Sequence, residues 1–206
     1  MALALAALSC SDDAADQTVP TSTDESTQAA TVAPTVEPTA EPTPAGPATT
    51  FGDGTKTVGQ DIAPGTYRGN LDSGLCYWER LSGFSGALDD VITNANPSYP
   101  EIVAIAETDV GFNSQRCGEW SQGLTPITAS QTDPFEDGTF AVGVDIAPGT
   151  WRTAGGDACY WERLSGFGHE IADILANEAG AVGPIVTIAA GDVGFSAHGC
   201  GAWSIQ

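Results

Sequence analysis

Positive charge is scarce in this chain. Its 206 residues include 27 acidic side chains and only 6 basic ones, and Lys56 is the single lysine. The formal net charge is −21 at pH 7. Nucleic acids and anionic membrane surfaces are also negatively charged and would repel such a protein. We therefore expect no nucleic-acid partner.

Histidine is scarce as well, and this limits the catalytic chemistry. The two histidines are His169 and His198, and both lie in the second of two repeated segments. A reaction shared by both segments would therefore lack an imidazole. The sequence contains no nucleophile elbow, zinc-protease motif or paired-cysteine zinc motif. We predict a non-enzymatic protein without a metal or cofactor. Because acids are plentiful, a secreted carboxylate-dependent hydrolase resembling a glycosidase is the alternative.

Long apolar runs are absent too, since no stretch reaches the roughly 18 residues of a membrane span. The N-terminal MALALAALSC is apolar, and its small residues before Cys10 resemble the end of a bacterial lipoprotein signal peptide. Polar, acidic SDDAADQ follows at once. We expect residues 1–10 to be a signal-peptide remnant and Cys10 to carry a lipid anchor. The protein would then sit on the extracellular side of the cell membrane, or be secreted if the anchor is missing.

Residues 11–50 are rich in Thr, Pro, Ala and Glu and contain almost no large apolar side chain. Such a segment buries too little surface to fold. Its spaced prolines favour extended polyproline II. We predict a disordered stalk that holds the folded part away from the membrane.

From residue 51 onward, the chain contains two copies of one unit. FGDGTKTVGQDIAPGTYR at 51–68 matches FEDGTFAVGVDIAPGTWR at 135–152, and CYWERLSGF occurs unchanged at 76–84 and 159–167. The predicted boundaries are repeat 1 at 51–122, a linker at 123–134 and repeat 2 at 135–206.

The cysteines of the two copies share one spacing. Cys76 and Cys117 are 41 residues apart, and so are Cys159 and Cys200. This spacing favours one disulfide within each repeat, although four cysteines allow three pairings. Disulfides require an oxidising compartment, which supports export. Each would contribute about 4 kcal/mol by the loop-closure estimate.

Within each copy the local patterns mostly indicate strands. CYWERL alternates and is followed by a glycine turn, and IVAIA and IVTIA read as buried strands. Ile171, Ile174 and Leu175 have the i, i+3, i+4 spacing of a short amphipathic helix, with a strand as the alternative. We predict a mainly β protein with two tandem β-sandwich-like domains, each with one short helix and one disulfide.

In a CYWERL strand, Trp78 and Arg80 share the inward face. A buried arginine needs a carboxylate partner. Asp61 and Asp109 are the candidates for Arg80. The corresponding candidates for Arg163 are Asp145 and Asp192.

Two further arginines follow the aromatic residue of the APGT segment. Cross-strand pairing predicts that Arg68 contacts Glu79 and that Arg152 contacts Glu162.

The opposite face of the same strand is the candidate for binding. It carries Tyr77 and Glu79 in the first copy and Tyr160 and Glu162 in the second. Aromatic and carboxylate groups side by side suit a polar ligand, such as a cell-wall glycan or an extracellular protein or peptide.

The pattern DGT, DIAPGTYR, CYWERLSGF and CG.W resembles a repeat of bacterial secreted proteins and lipoproteins, notably actinobacterial ones. The resemblance covers about 51–122 and 135–206. It implies an extracellular location and a β-rich architecture, and it implies no functional residue. Together, these observations predict a lipid-anchored cell-envelope protein whose two β domains have a binding or structural role.

Overall fold

The computed structural model describes residues 46–71 and 75–206, so the predicted lipid anchor at Cys10 and most of the predicted stalk lie outside the described residues. The described part is mainly β, as predicted, with two tandem sheet-rich halves, which we call repeat 1 and repeat 2. The strands of repeat 1 are β1 Thr50–Phe51, β2 Gly54–Thr57, β3 Gly65–Asn70, β4 Tyr77–Leu81, β5 Val91–Ala95, β6 Glu101–Ile105, β7 Gly111–Gln115 and β8 Glu119–Gln122. Those of repeat 2 are β9 Gly138–Ala141, β10 Gly149–Arg152, β11 Tyr160–Leu164, β12 Ile174–Ala179, β13 Ile185–Ile188, β14 Gly194–His198 and β15 Ser204–Ile205.

Each repeat is built from two antiparallel sheets. In repeat 1 the strand orders are β1-β8-β3-β6 and β2-β7-β4-β5, and in repeat 2 they are β13-β10-β15 and β12-β11-β14-β9. The repeat 1 core lies between its two sheets, where Phe112 meets the ring of Trp120 edge-on at 5.2 Å. Phe195 and Trp203 make the same contact in repeat 2, at 5.1 Å. The predicted sandwich-like architecture is therefore confirmed.

The predicted helix is reduced to a single 3₁₀ turn in each repeat. The turns span Leu88–Asp90 and Ile171–Asp173, and the strands β5 and β12 begin at the next residue. The strand alternative therefore describes most of this segment, because ladder pairing with β4 and β11 supplies its backbone hydrogen bonds. In the part of the chain described, no helix is long and apolar enough to span a membrane.

The disulfides join Cys76 to Cys117 and Cys159 to Cys200, which is the pairing that the equal spacing favours. All four cysteines lie in the cores with the tryptophans that flank them. Trp78, Trp120 and Trp203 are fully buried, whereas Trp161 is only partly buried. The difference arises because His169 of repeat 2 packs edge-on against Trp78, with ring centroids 4.8 Å apart.

Arg80 and Arg163 face inward, and each binds one of its two predicted acids. Arg80 donates two hydrogen bonds to Asp109, at 2.7 and 2.9 Å. Arg163 donates two to Asp192, at 2.6 and 2.8 Å. These hydrogen bonds hold the pKa of Asp192 below its usual range.

The prediction for Arg68 is wrong. Arg68 donates from Nη2 to Asp145 of repeat 2 at 2.6 Å instead of pairing with Glu79, and both side chains are buried. Its counterpart Arg152 is exposed on the surface of repeat 2. The contact between the two repeats therefore determines the ion-pair partner of Arg68.

The two repeats pack against each other within one compact unit. Two backbone hydrogen bonds cross between them. The amide of Ala104 donates to the carbonyl of Phe167 at 2.7 Å, and the amide of Thr139 donates to the carbonyl of Pro100 at 3.0 Å. Both amides belong to edge strands, β6 and β9, so each repeat covers an open sheet edge of the other.

An apolar cluster lies beside these hydrogen bonds. Its buried members are Ile102 of repeat 1 and Ala141, Leu164 and Phe167 of repeat 2. Arg80 adds a hydrogen bond from Nη1 to the carbonyl of Gly168 at 2.7 Å. Burial of apolar side chains and pairing of backbone groups thus stabilise the same contact.

Candidate binding faces

The predicted binding residues of repeat 1 form a hydrogen-bonded cluster on the outer face of β4. The hydroxyl of Tyr77 donates to Glu79 Oε2 at 2.6 Å. Asn94, which lies opposite Glu79 on β5, donates from Nδ2 to the Tyr77 hydroxyl at 3.2 Å. Asn113 of β7 donates to the other Glu79 oxygen at 3.0 Å. Strand alternation places these polar side chains away from the core.

Repeat 2 carries three of these four residues, with Ser196 in the place of Asn113. Tyr160 donates to Glu162 Oε2 at 2.7 Å, and Asn177 donates to the Tyr160 hydroxyl at 3.2 Å. Both asparagines are exposed, whereas the tyrosines and glutamates are half-buried. We call each set of three, Tyr77–Glu79–Asn94 and Tyr160–Glu162–Asn177, a Tyr–Glu–Asn patch.

Sequence reasoning missed the asparagines as members of the candidate site. Asn94 and Asn177 occupy the same position in the two copies, which is the signal that could have identified them. Each patch offers phenol, carboxylate and amide groups side by side, so it can both donate and accept hydrogen bonds.

Both phenols stay protonated over a wide pH range. Burial raises the pKa of Tyr77, the hydrogen bond from Asn94 opposes this effect, and the Glu79 carboxylate adds to it. Burial and Glu162 raise the pKa of Tyr160 in the same way. Each hydroxyl is therefore held as a donor to its glutamate, which orients the carboxylate.

The surroundings of the two patches differ. Beside Glu162, the segment 95–101 of repeat 1 forms one wall of a cleft of about 270 Å³. Tyr99 packs against the ring of His198 in this cleft, with centroids 4.7 Å apart. The strand register aligns His198 with Gln115 of repeat 1, which lines a pocket of about 450 Å³ together with Tyr77 and other residues of repeat 1 alone. The patch of repeat 2 therefore lies at a cleft between the repeats, whereas that of repeat 1 borders a pocket formed within its own repeat.

His169 links this cleft to the contact between the repeats. Its Nε2 lies 2.9 Å from the carbonyl of Ile102 and 3.4 Å from Glu101 Oε1. Burial disfavours the imidazolium, but the Glu101 carboxylate and the Ile102 carbonyl outweigh this effect and raise the pKa of His169. Glu101 in turn accepts the amide of Ile102 at 3.0 Å. His169 and Glu101 are thus engaged in holding the repeats together.

The cleft also contains a serine–histidine contact that does not form a triad. Ser196 Oγ lies 3.1 Å from His198 Nε2. Ser196 is only 2% exposed, and the buried Nδ1 of His198 finds no hydrogen-bond partner among the residues described. A nucleophile needs access to its substrate, and its base needs an orienting group. This geometry therefore gives no support to a serine hydrolase, and nothing in the described residues favours the carboxylate-dependent hydrolase that is the alternative from the sequence.

Metal-ligand geometry is likewise absent from residues 46–71 and 75–206, where no three His, Cys, Asp or Glu side chains come together to hold an ion. The cysteines outside the N-terminal segment are taken up by the two disulfides.

The repeat structure matches a known family twice. The model of the Rv1352-like extracellular domain matches residues 48–121 and again residues 132–204. The chain belongs to this family. It is therefore a tandem repeat of an extracellular domain, in agreement with its two disulfides. Among curated proteins, no match was found.

Proposed function

We propose that this extracellular protein is a lipid-anchored, non-enzymatic cell-envelope protein that binds a polar ligand, such as a cell-wall glycan, through its two Tyr–Glu–Asn patches. The observation that carries the proposal is that both repeats keep the same hydrogen-bonded patch outside their cores. Core packing does not require these side chains, because their faces point away from the aromatic clusters.

The chemistry of the patches favours a polar, uncharged ligand. The carboxylates of Glu79 and Glu162 repel anions, and the net charge of −21 adds to this repulsion. A sugar offers hydroxyl donors to the carboxylate and hydroxyl acceptors to the amide, together with an apolar face for the tyrosine ring. Two equal patches on one chain would also increase avidity toward a polymeric ligand.

The binding test uses the full chain and soluble cell-wall glycan fragments in calorimetric titrations. The double variant Glu79→Gln, Glu162→Gln keeps the shape of the patches and removes their charge. We expect it to lose at least about tenfold in affinity, the scale of a hydrogen bond to a charged group. The control Glu119→Gln, Glu136→Gln removes two exposed carboxylates elsewhere and should bind like the wild type. Equal binding by both double variants would exclude the patches as the site.

The anchor is tested separately. Cells that express the full chain are fed a tagged fatty acid, and the protein should carry the label and partition with membranes. Cys10→Ala should be unlabelled and soluble, because the lipid would attach at this cysteine. A wild-type protein that is unlabelled and soluble would contradict the anchor while leaving the binding proposal standing.

A further inference from the structure

The contact between the repeats joins two different surfaces. Repeat 1 contributes a surface on the β6 edge, formed by Arg68, Ile102 and Ala104, which we call the edge face. Repeat 2 contributes a groove formed around Asp145, Leu164 and Phe167, which we call the groove. Repeat 1 also has a groove, and repeat 2 also has an edge face. Neither of these two surfaces takes part in the contact.

The unused edge face of repeat 2 keeps the same register. Arg68 lies opposite Ile102 in the β3–β6 ladder, and Arg152 lies opposite Ile185 in the β10–β13 ladder. Ile102 is fully buried, whereas Ile185 is 65% exposed. β13 is also an edge strand, so its outer backbone groups are open for pairing.

The groove of repeat 1 is already formed, although no other repeat occupies it. Nine lining positions in repeat 1, from Glu79 to Val91, correspond one to one with the nine that line the groove of repeat 2. The pocket along these positions has a volume of about 460 Å³ in repeat 1 and about 140 Å³ in repeat 2. Ile102 packs against Leu164 and Phe167 of repeat 2. Phe84 is 51% exposed, whereas its counterpart Phe167 is 5% exposed.

The charges of the two unused surfaces are complementary. Asp145 accepts the amide of Ala141 at 2.8 Å while it binds Arg68. Asp61 accepts the amide of Thr57 at the same distance and is exposed. Arg152 is exposed as well. A pair between Arg152 and Asp61 would repeat the Arg68–Asp145 pair.

We propose that a second copy of this chain docks on these surfaces head to tail. The edge face of repeat 2 in one copy enters the groove of repeat 1 in the next, with Ile185 against Phe84 and Arg152 against Asp61. Such a contact is heterologous, so it continues into an open row of copies unless its rotation closes a ring. The contact that joins the two repeats within one chain would then also join neighbouring chains.

The contact between copies should be weaker than the contact within the chain. Ala141 and Val144 of the occupied groove correspond to the more polar Thr57 and Gln60 of repeat 1. Lys56 on the β2 edge discourages tight strand pairing, and like net charges repel the copies. We therefore expect assembly at high local concentration, as on a surface, and little of it in dilute solution.

The test is sedimentation velocity of the full chain up to about 1 mM, where a millimolar dissociation constant would still be detected. The wild type should form dimers and larger species. Ile185→Asp and Phe84→Asp should each stay monomeric, because each removes one of the two surfaces. Leu175→Asp, another exposed apolar site outside both surfaces, should associate like the wild type. A wild type that is monomeric throughout, or Ile185→Asp associating like the wild type, would overturn the proposal.

Mixing the two monomeric variants tests the head-to-tail geometry. Ile185→Asp retains its groove and Phe84→Asp retains its edge face, so the mixture should form a one-to-one dimer and nothing larger. Charge reversal adds a second test. Arg152→Glu should prevent association, and the double variant Arg152→Glu, Asp61→Arg should restore it. Absence of the mixed dimer, or failure of the double variant to recover, would contradict the assigned contacts. Unchanged near-ultraviolet circular dichroism would show that each variant is folded.

Discussion

Repeat 1 and repeat 2 carry the same residues at corresponding positions, yet these residues lie in opposite environments. Ile102 is completely buried and Ile185 is 65% exposed, while Phe84 is 51% exposed and Phe167 is nearly buried. Each repeat therefore carries both an edge face and a groove, and its position in the chain determines which of the two is buried. Comparing corresponding substitutions tests the contact, because the corresponding sites share their strand register.

The largest contrast is expected at the aspartates. Asp145→Asn removes the charge that balances buried Arg68, whose Nε and Nη1 already have no partner among the described residues. Breaking a buried pair in this way costs about 3–5 kcal/mol of the free energy of unfolding. Asp61→Asn changes the same turn at an exposed site and should cost less than about 1 kcal/mol. Chemical denaturation of the dilute protein measures both values, and equal losses would contradict the comparison.

An intermediate contrast is expected at the isoleucines. Ile102→Ala opens a cavity between the repeats and should lower the free energy of unfolding by about 3 kcal/mol. Ile185→Ala removes an exposed side chain from the dilute protein and should cost no more than about 0.5 kcal/mol. Thermal or chemical unfolding at low concentration provides the measurement. A loss at Ile185 as large as that at Ile102 would show that the exposed face is already covered within one chain.

The smallest effect is expected at His169, which has glycine as its counterpart in repeat 1. The raised pKa means that the folded state favours the imidazolium, which binds Glu101. Its stabilisation is fully present below the unfolded pKa of about 6.5 and is lost as pH rises through the folded pKa. His169→Gln should therefore cost about 1 kcal/mol at low pH and less at high pH.

The control for this pH dependence is Glu101→Gln, which removes the carboxylate that raises the pKa. In this background burial lowers the pKa of His169 and is opposed mainly by the Ile102 carbonyl, so the pH dependence of the His169→Gln effect should shrink or change sign between about pH 5 and 8. An unchanged pH dependence without Glu101 would assign the titration to another group.

Sequence patterns predicted the features that arise within one repeat. Strand alternation places Trp78 and Arg80 inward, and equal spacing favours the disulfides that the structure contains. Arg80 binds Asp109, one of its predicted partners, because both residues belong to repeat 1. The helical spacing of Ile171, Ile174 and Leu175 was misleading, since ladder pairing from Ile174 onward overrides it.

The features that arise between repeats could not be predicted in this way. Cross-strand pairing within one repeat predicts Glu79 as the partner of Arg68, whereas its partner Asp145 comes from the other copy. The patches show a similar limit. Their tyrosines and glutamates follow from alternation along one strand, but Asn94 and Asn177 join them only through the register with the next strand.

The most direct measurement compares amide hydrogen exchange at two corresponding edge positions of the full chain in dilute solution. Ala104 lies opposite Thr66 on β6, and Thr187 lies opposite Thr150 on β13. The amide of Ala104 donates across the contact to Phe167 at 2.7 Å. Ala104 should therefore exchange far more slowly than Thr187, and raising the concentration should slow Thr187 alone. Equally fast exchange of both amides in dilute protein would contradict the contact between the repeats on which this account depends.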